Sequence, residues 1–197
     1  MVNTVIKNLL MRSLVRLSRR PKVKVSLERL EGLVVDIGAG GEGIMAKTCG
    51  KETVCVDISK REIDEARSRG AVANWVLCDA RAMPFGSGLF DVATFFFSLM
   101  YMKTLERKHA VMIEAKRVLK PEGSLYLWDA IIREKPDPYI VFVEASLPGE
   151  ERVYTGYGVR GEKKEQAPEL INQLALEAGF RDARTESHEY WFTSRFQ

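Results

Sequence analysis

Between residues 32 and 180 the chain alternates short apolar runs with stretches whose apolar positions recur every three or four residues. That alternation predicts an α/β domain whose strands are buried between helices. "GLVVDIG" (32–38) predicts a first strand, and Gly41 to Thr48 the start of a helix. "ETVCVDI" predicts a second strand, after which Ser59 caps "KREIDEARSRG", a helix closed by Gly70. "VANWVLCDA" predicts a third strand ending at Asp79, and "RAMPFGSGLF" a loop too short to hold a full helix. "FDVATFFFSLMYM" is almost wholly apolar, as a strand covered on both faces should be. "LERKHAVMIEAKRVLK" predicts an amphipathic helix stopped by Pro121 and Gly123; "SLYLWDA" follows as a fifth strand, and "APELINQLALEAGF" as the last helix. Before that helix, two β-rich runs flank "LPGEE" over about 139–160, which predicts an inserted hairpin.

The first 30 residues follow another pattern. Eight Lys/Arg (Lys7, Arg12, Arg16, Arg19, Arg20, Lys22, Lys24, Arg29) stand against Glu28 alone. Val5, Ile6, Leu9, Leu10, Leu14 and Leu17 recur with helical spacing. A transit peptide, a basic surface-binding helix and a lid helix packed on the domain all fit. The lid is the expectation adopted, with residues 1–30 as lid segment and 31–197 as one domain. No aromatics are interleaved with these charges to stack bases, so nucleic acid is not the expected partner.

Composition adds boundaries. With 197 residues, 46% hydrophobic and 29% charged, the chain reads as an ordinary globular protein, and its net charge of +3 is too small to argue for a polyanion. Cys49, Cys55 and Cys78 form no C-x-x-C pair, which speaks against a zinc site or disulfide framework and fits a reducing cytoplasm. No metal site is expected, and no run of about 18 apolar residues suggests a membrane span.

The chemistry gathers at the ends of the predicted strands. Gly38, Gly40 and Gly43 spell G-x-G-x-x-G, and Asp57 lies near where a dinucleotide fold keeps its ribose acid. Asp36, however, sits two residues before the first glycine, where its charge would repel a pyrophosphate. That place suits a cofactor bringing an ammonium and a sulfonium without phosphate, as S-adenosylmethionine does. Asp57 can then accept from both ribose hydroxyls, and Asp79 from the adenine amino group. Each acid has a plainer role open to it, as helix cap or turn residue. Their joint register with the glycines favours ligand binding.

Four ordered motifs carry a resemblance. "VVDIGAG", "VCVDIS", "CDARAMPFGSGLFDVATFFFSLMYM" and "RVLKPEGSLYLWD" together make the chain, from about Gly32 to Phe180, similar to the class I S-adenosylmethionine-dependent methyltransferases of the small-molecule type. The resemblance implies a doubly wound, mostly parallel Rossmann-like sheet with its ligand crevice at the carboxyl ends of the first and fourth strands. It implies Asp36, Gly38 and Gly40 at the cofactor's methionine part, Asp57 and Ile58 at the ribose, Asp79 and Ala80 at the adenine, and Phe96 near the end of the fourth strand. Three departures stand out. Glu42 occupies the family's third glycine position with Gly43 one place later, and Phe96 replaces a small or polar residue. Only 17 residues (197 − 180) follow Phe180, short for the two antiparallel strands that normally end the family's fold. One strand is therefore expected to be missing, or replaced by the hairpin.

Absent motifs narrow the acceptor. The chain lacks the N/D-P-P-Y/F of base and amide N-methyltransferases, the Pro-Cys of cytosine-C5 enzymes, the acid set of metal-dependent catechol-type enzymes and the paired glutamates of arginine methyltransferases. A small-molecule acceptor is expected, between the N-terminal helix, residues 98–103 and the hairpin. Tyr101, Tyr154 and Tyr157 are its polar aromatics, and Tyr101 is the candidate base or orienting group. An RNA-modifying enzyme and a non-catalytic cofactor-binding subunit remain the alternatives; neither oligomeric state nor acceptor atom is readable.

Overall fold

A computed structural model describes residues 21–133, 138–161 and 165–197. Its larger sheet has seven strands: β2 (Val34–Ile37), β3 (Val54–Asp57), β4 (Asn74–Leu77), β5 (Phe90–Phe96), β6 (Leu119–Ala130), β9 (Arg184–Ser187) and β10 (Trp191–Phe196). They lie in the order β4-β3-β2-β5-β6-β10-β9. The first five run parallel, while β10 is antiparallel to both β6 and β9. Both C-terminal strands thus form, contrary to the expectation that one would be missing or replaced by the hairpin: β9 needs four residues and β10 six, so the short tail suffices.

Helices α1 (Ile44–Cys49), α2 (Lys60–Ser68), α3 (Leu105–Val118) and α4 (Pro168–Glu177) connect the strands. Ser59 caps α2 by accepting from the Glu62 amide, and Thr104 caps α3 by accepting from that of Arg107. The apolar stripe of α3 (Val111, Met112, Ala115, Val118) packs with Ile171 and Leu174 of α4 on one face of the sheet, over Val35, Phe95, Leu125 and Phe192. Two details differ from the sequence reading. Helix α3 stops at Val118 and the next strand already begins at Leu119, taking in Pro121 and Gly123. The fourth apolar run leaves the sheet after Phe96, and Leu99–Tyr101 form a 3-10 turn.

The other face is covered by a second, three-stranded sheet. β7 (Tyr139–Ser146) and β8 (Arg152–Val159) form an antiparallel hairpin, and β1 (Lys22–Ser26) pairs in parallel with β7. Val23, Val25, Val141, Val143, Ala145 and Val153 meet Val34, Val92 and Phe96 of the main sheet, with Ile44 and Met45 of α1 between them. The helix expected over the first 20 residues lies outside the described residues. Within 21–30 the chain is not helical: Lys22–Ser26 alternates exposed and buried positions as an edge strand does.

Three charged residues away from the strand-end acids act as braces. Asp91 accepts from the Leu33 amide and from Lys120, tying β5 to the entry of β2. Glu114 and Arg117 of α3 grip Met83 and Phe85, clamping the loop that follows β4.

Candidate functional site

In the large sheet the chain order reverses beside β2, whose neighbours are β3 and β5, and a cavity of about 1550 Å³ opens there. Its floor is the glycine turn Gly38–Gly41 with Glu42; one side carries Asp57, Ile58, Asp79 and Ala80, and the other Phe97, Ser98, Tyr101 and Met102. Glu151 and Val153–Gly158 of the hairpin face them.

The glycine turn is held from three directions. Asp57 accepts from the Gly40 amide at 2.9 Å through Oδ2 and from the Ser59 amide at 2.8 Å through Oδ1, so it fixes the turn and its own helix cap together. Ser98 Oγ donates to the Ile37 carbonyl at 2.8 Å. Gly38 has φ +73°, and a Cβ there would lie 2.7 Å from Cβ of Ser98, so no larger residue fits. Gly43, at the displaced third glycine position, packs where a Cβ would meet Ala71 at 2.5 Å. Glu42, which took that glycine's usual place, lines the cavity and pairs with Arg69, itself also paired with Glu65.

The three acids differ in state. Asp36 is buried beneath the turn rather than lining the cavity; burial pushes its carboxyl up to about 7 despite the 2.7 Å hydrogen bond from Thr94 Oγ1. Asp79 lies at the rim. The Arg81 guanidinium donates to both its oxygens and the Arg81 amide to one, which holds its carboxyl down to about 2. Asp57 lines the cavity, both its oxygens already accepting from backbone amides. Beside it Ile58, an apolar side chain on the same side of the cavity, is 71% exposed.

Phe96 faces away from the cavity into the core, among Phe97, Trp128 and Tyr157. Its neighbour Phe97 lines the site instead, with φ +50°, a backbone state that bulky residues hold only under constraint. Its amide donates to the Trp128 carbonyl at 2.7 Å, and its ring stacks on Tyr157 at 5.1 Å with 13° between planes. Tyr101 Oη accepts from the Gly158 amide at 3.1 Å, joining the 3-10 turn to β8. Burial raises the phenols of Tyr101 and Tyr157 above the ordinary tyrosine range, so both are neutral at physiological pH. Among the described residues no cluster of His, Cys, Asp and Glu could hold a metal ion, and no helix is long and apolar enough to cross a membrane.

Residues 35–127, which contain the glycine turn, all three acids and both brace motifs, match the family model described as a methyltransferase domain. The match and the relatives below support a class I S-adenosylmethionine-dependent methyltransferase. The ubiquinone/menaquinone biosynthesis C-methyltransferase UbiE of Paraburkholderia phymatum is 34% identical over 114 residues, covering 50% of this chain and 45% of that protein. The chain thus spans less than half the length of the curated relative it matches. A SAM-dependent methyltransferase from Aquifex aeolicus has the same fold with TM-score 0.62 at 16% identity, over 85% of this chain and 82% of that one. The CcbJ methyltransferase from Streptomyces caelestis also gives 0.62, at 14% identity over 84% and 83%. S-adenosylmethionine is the methyl donor of the family.

Of the residues the sequence suggested for one site, Gly38, Gly40, Asp57, Ile58, Asp79, Ala80 and Tyr101 line this cavity, whereas Asp36 and Phe96 do not. The sequence reading took in Ser98 with residues 98–103 but missed Phe97. "TFFFS" does not say which phenylalanine turns toward the crevice, because strand alternation breaks at the bend.

Proposed function

We propose that the protein moves a methyl group from S-adenosylmethionine to a small-molecule acceptor bound in the same cavity. The observation that carries this reading is the pairing of acids and volume. Asp57 ends β3 and Asp79 follows the end of the neighbouring β4, beside a glycine turn, in a space exceeding the roughly 300–1,000 Å³ typical of a single-ligand pocket. Donor and acceptor can therefore share it. Asp57 takes the ribose hydroxyls with Ile58 beside it, Ala80 covers the adenine, Asp79 receives its amino group, and Gly38 and Gly40 let the methionine part approach the backbone. Buried Asp36 supplies negative charge beneath the methionine ammonium. Phe96 contributes from behind, by supporting the Phe97 ring.

The acceptor lies toward Phe97, Tyr101, Met102, Tyr154 and Tyr157, a largely aromatic wall suited to a planar apolar molecule. The name of the Paraburkholderia relative supports a carbon acceptor of small-molecule type. The acceptor's electron pair attacks the methyl carbon as the carbon–sulfur bond breaks; the sulfur leaves neutral in S-adenosylhomocysteine, and the positive charge passes to the acceptor, which then loses a proton to solvent. Positioning supplies much of the rate in such a displacement. Tyr101, neutral and already accepting from Gly158, acts here by orienting rather than by taking a proton.

Two measurements test the reading. Calorimetry should show S-adenosylmethionine and S-adenosylhomocysteine binding and NAD not binding; tighter binding of NAD would end it. Label from tritiated methyl donor should enter the small-molecule fraction of a cell extract. Label found only in RNA would move the acceptor to nucleic acid.

A further inference from the structure

Behind the aromatic wall lie three buried polar side chains that the proposed chemistry leaves unused: Lys108 of α3, Asp129 of β6 and Gln166 before α4, each no more than 3% exposed. Their hydrogen bonds converge on one residue. Asp129 Oδ2 accepts from the Leu99 amide at 2.9 Å, and Lys108 Nζ donates to the Leu99 carbonyl at 2.6 Å. The same ammonium donates to Gln166 Oε1 at 2.5 Å, and Gln166 Nε2 donates to the Ala130 carbonyl at 3.0 Å. Asp129 Oδ1 accepts from the Ala130 amide at 2.7 Å, which closes the network on the end of β6. A charge of each sign thus grips opposite ends of a single peptide residue.

Buried charges of this kind are a poor way to gain stability, since apolar replacements of the same volume are often as good or better. Burial raises the Asp129 carboxyl to about 6 and lowers the Lys108 ammonium to about 8, so the fold holds both ions against their own solvation preference. The other titratable groups coupled to Asp129 are Tyr101, Tyr139 and Tyr157, all phenols raised above their ordinary range. What the network fixes is the start of the Leu99–Tyr101 turn. From that turn Tyr101 reaches Gly158 of the hairpin, and just before it Ser98 reaches Ile37 at the glycine turn.

We infer that Lys108, Asp129 and Gln166 are positioning residues, which set the wall of the methyl-transfer cavity by clamping the Leu99 backbone. The inference rests on the proposed use of that cavity. None of the three touches a reacting atom; they act through Leu99 on Phe97, Ser98 and Tyr101, which do line the site.

The test is amide hydrogen exchange by NMR at pH 7 on the unmodified chain, Lys108→Met and the double variant Lys108→Met/Asp129→Asn. Asn offers one carbonyl oxygen where Asp129 serves two amides, and Met offers no donor at all. The Leu99 and Gly158 amides should exchange at least tenfold faster in the variants while those of Phe90–Phe96 keep their protection. S-adenosylhomocysteine should bind about tenfold more weakly. Unchanged exchange at Leu99 and Gly158, or an equal loss along the whole of β5, would overturn the inference. A scaffold residue of no special role would give the second pattern. Exchange needs no ligand, so an unmodified chain that fails to bind S-adenosylhomocysteine sinks the proposed function and leaves the exchange result to decide the clamp.

Discussion

Replacing Asp57 with alanine separates ligand binding from turn building, because the carboxylate serves both. Its two oxygens already accept from the Gly40 and Ser59 amides at 2.9 and 2.8 Å, and in the proposed complex they also accept from the ribose hydroxyls. A hydrogen bond to a charged group is worth about 1.5–3 kcal/mol. Losing the ribose acceptor therefore weakens S-adenosylhomocysteine roughly 10- to 150-fold, at 1.4 kcal/mol for each factor of ten. The two orphaned amides lie at a half-buried site, where water replaces part of the bond. Their loss costs about 1–3 kcal/mol of stability, or roughly 3–10 °C in Tm for a chain of this size. Asp57→Asn keeps one acceptor oxygen and should fall between on both scales. Calorimetry with S-adenosylhomocysteine and a thermal melt on the same preparations make the comparison. A folded Asp57→Ala protein whose affinity stays within twofold of the unmodified chain would refute the ribose role and leave Asp57 a brace for the turn.

Gly38→Ala places a Cβ 2.7 Å from Ser98 at a φ of +73°; it should cost about 2 kcal/mol or more and weaken S-adenosylhomocysteine at least tenfold, read by melt and calorimetry. Asp36 titrates near 7 in the fold against 3.8 as a free side chain, so its contribution is fully present below about 3.8 and is lost as pH rises through 7. Asp36→Asn removes that dependence, and its Tm relative to the unmodified protein should improve by a few degrees between pH 5 and pH 8; an unchanged difference would mean that the carboxyl is already ionised at pH 5.

Much of this was legible because strands covered on both faces announce themselves. Val34–Ile37, Val54–Asp57 and Phe90–Phe96 sit inside the apolar runs that predicted them, and Ser59 caps its helix as its position suggested. Asp57 followed from ending one such run. β1 was hidden by its lysines, although Lys22-Val-Lys-Val-Ser26 alternates at the period of a half-buried strand; the charge count drew attention from the alternation. β9 had no such signal, since all four residues are exposed and only pairing with β10 defines them. The Leu99 clamp was out of reach for a different reason. A lysine on an amphipathic helix reads as a solvent charge, and its partners lie 21 (129 − 108) and 58 (166 − 108) positions away.

The parallel pairing of β1 with β7 has a consequence for synthesis. Lys22 is in register with Phe142, so β1 must wait 120 residues (142 − 22) for its partner to be made. At 5–20 residues per second that delay is on the order of ten seconds, during which an extended, valine-bearing segment is available to other nascent chains. Lys22 and Lys24, on the exposed side of the strand, set like charges along it and discourage such pairing in the interval. The glycine turn and the acids of β2–β4 leave the ribosome well before the hairpin does. The small sheet can close only over a crevice whose floor has already been translated.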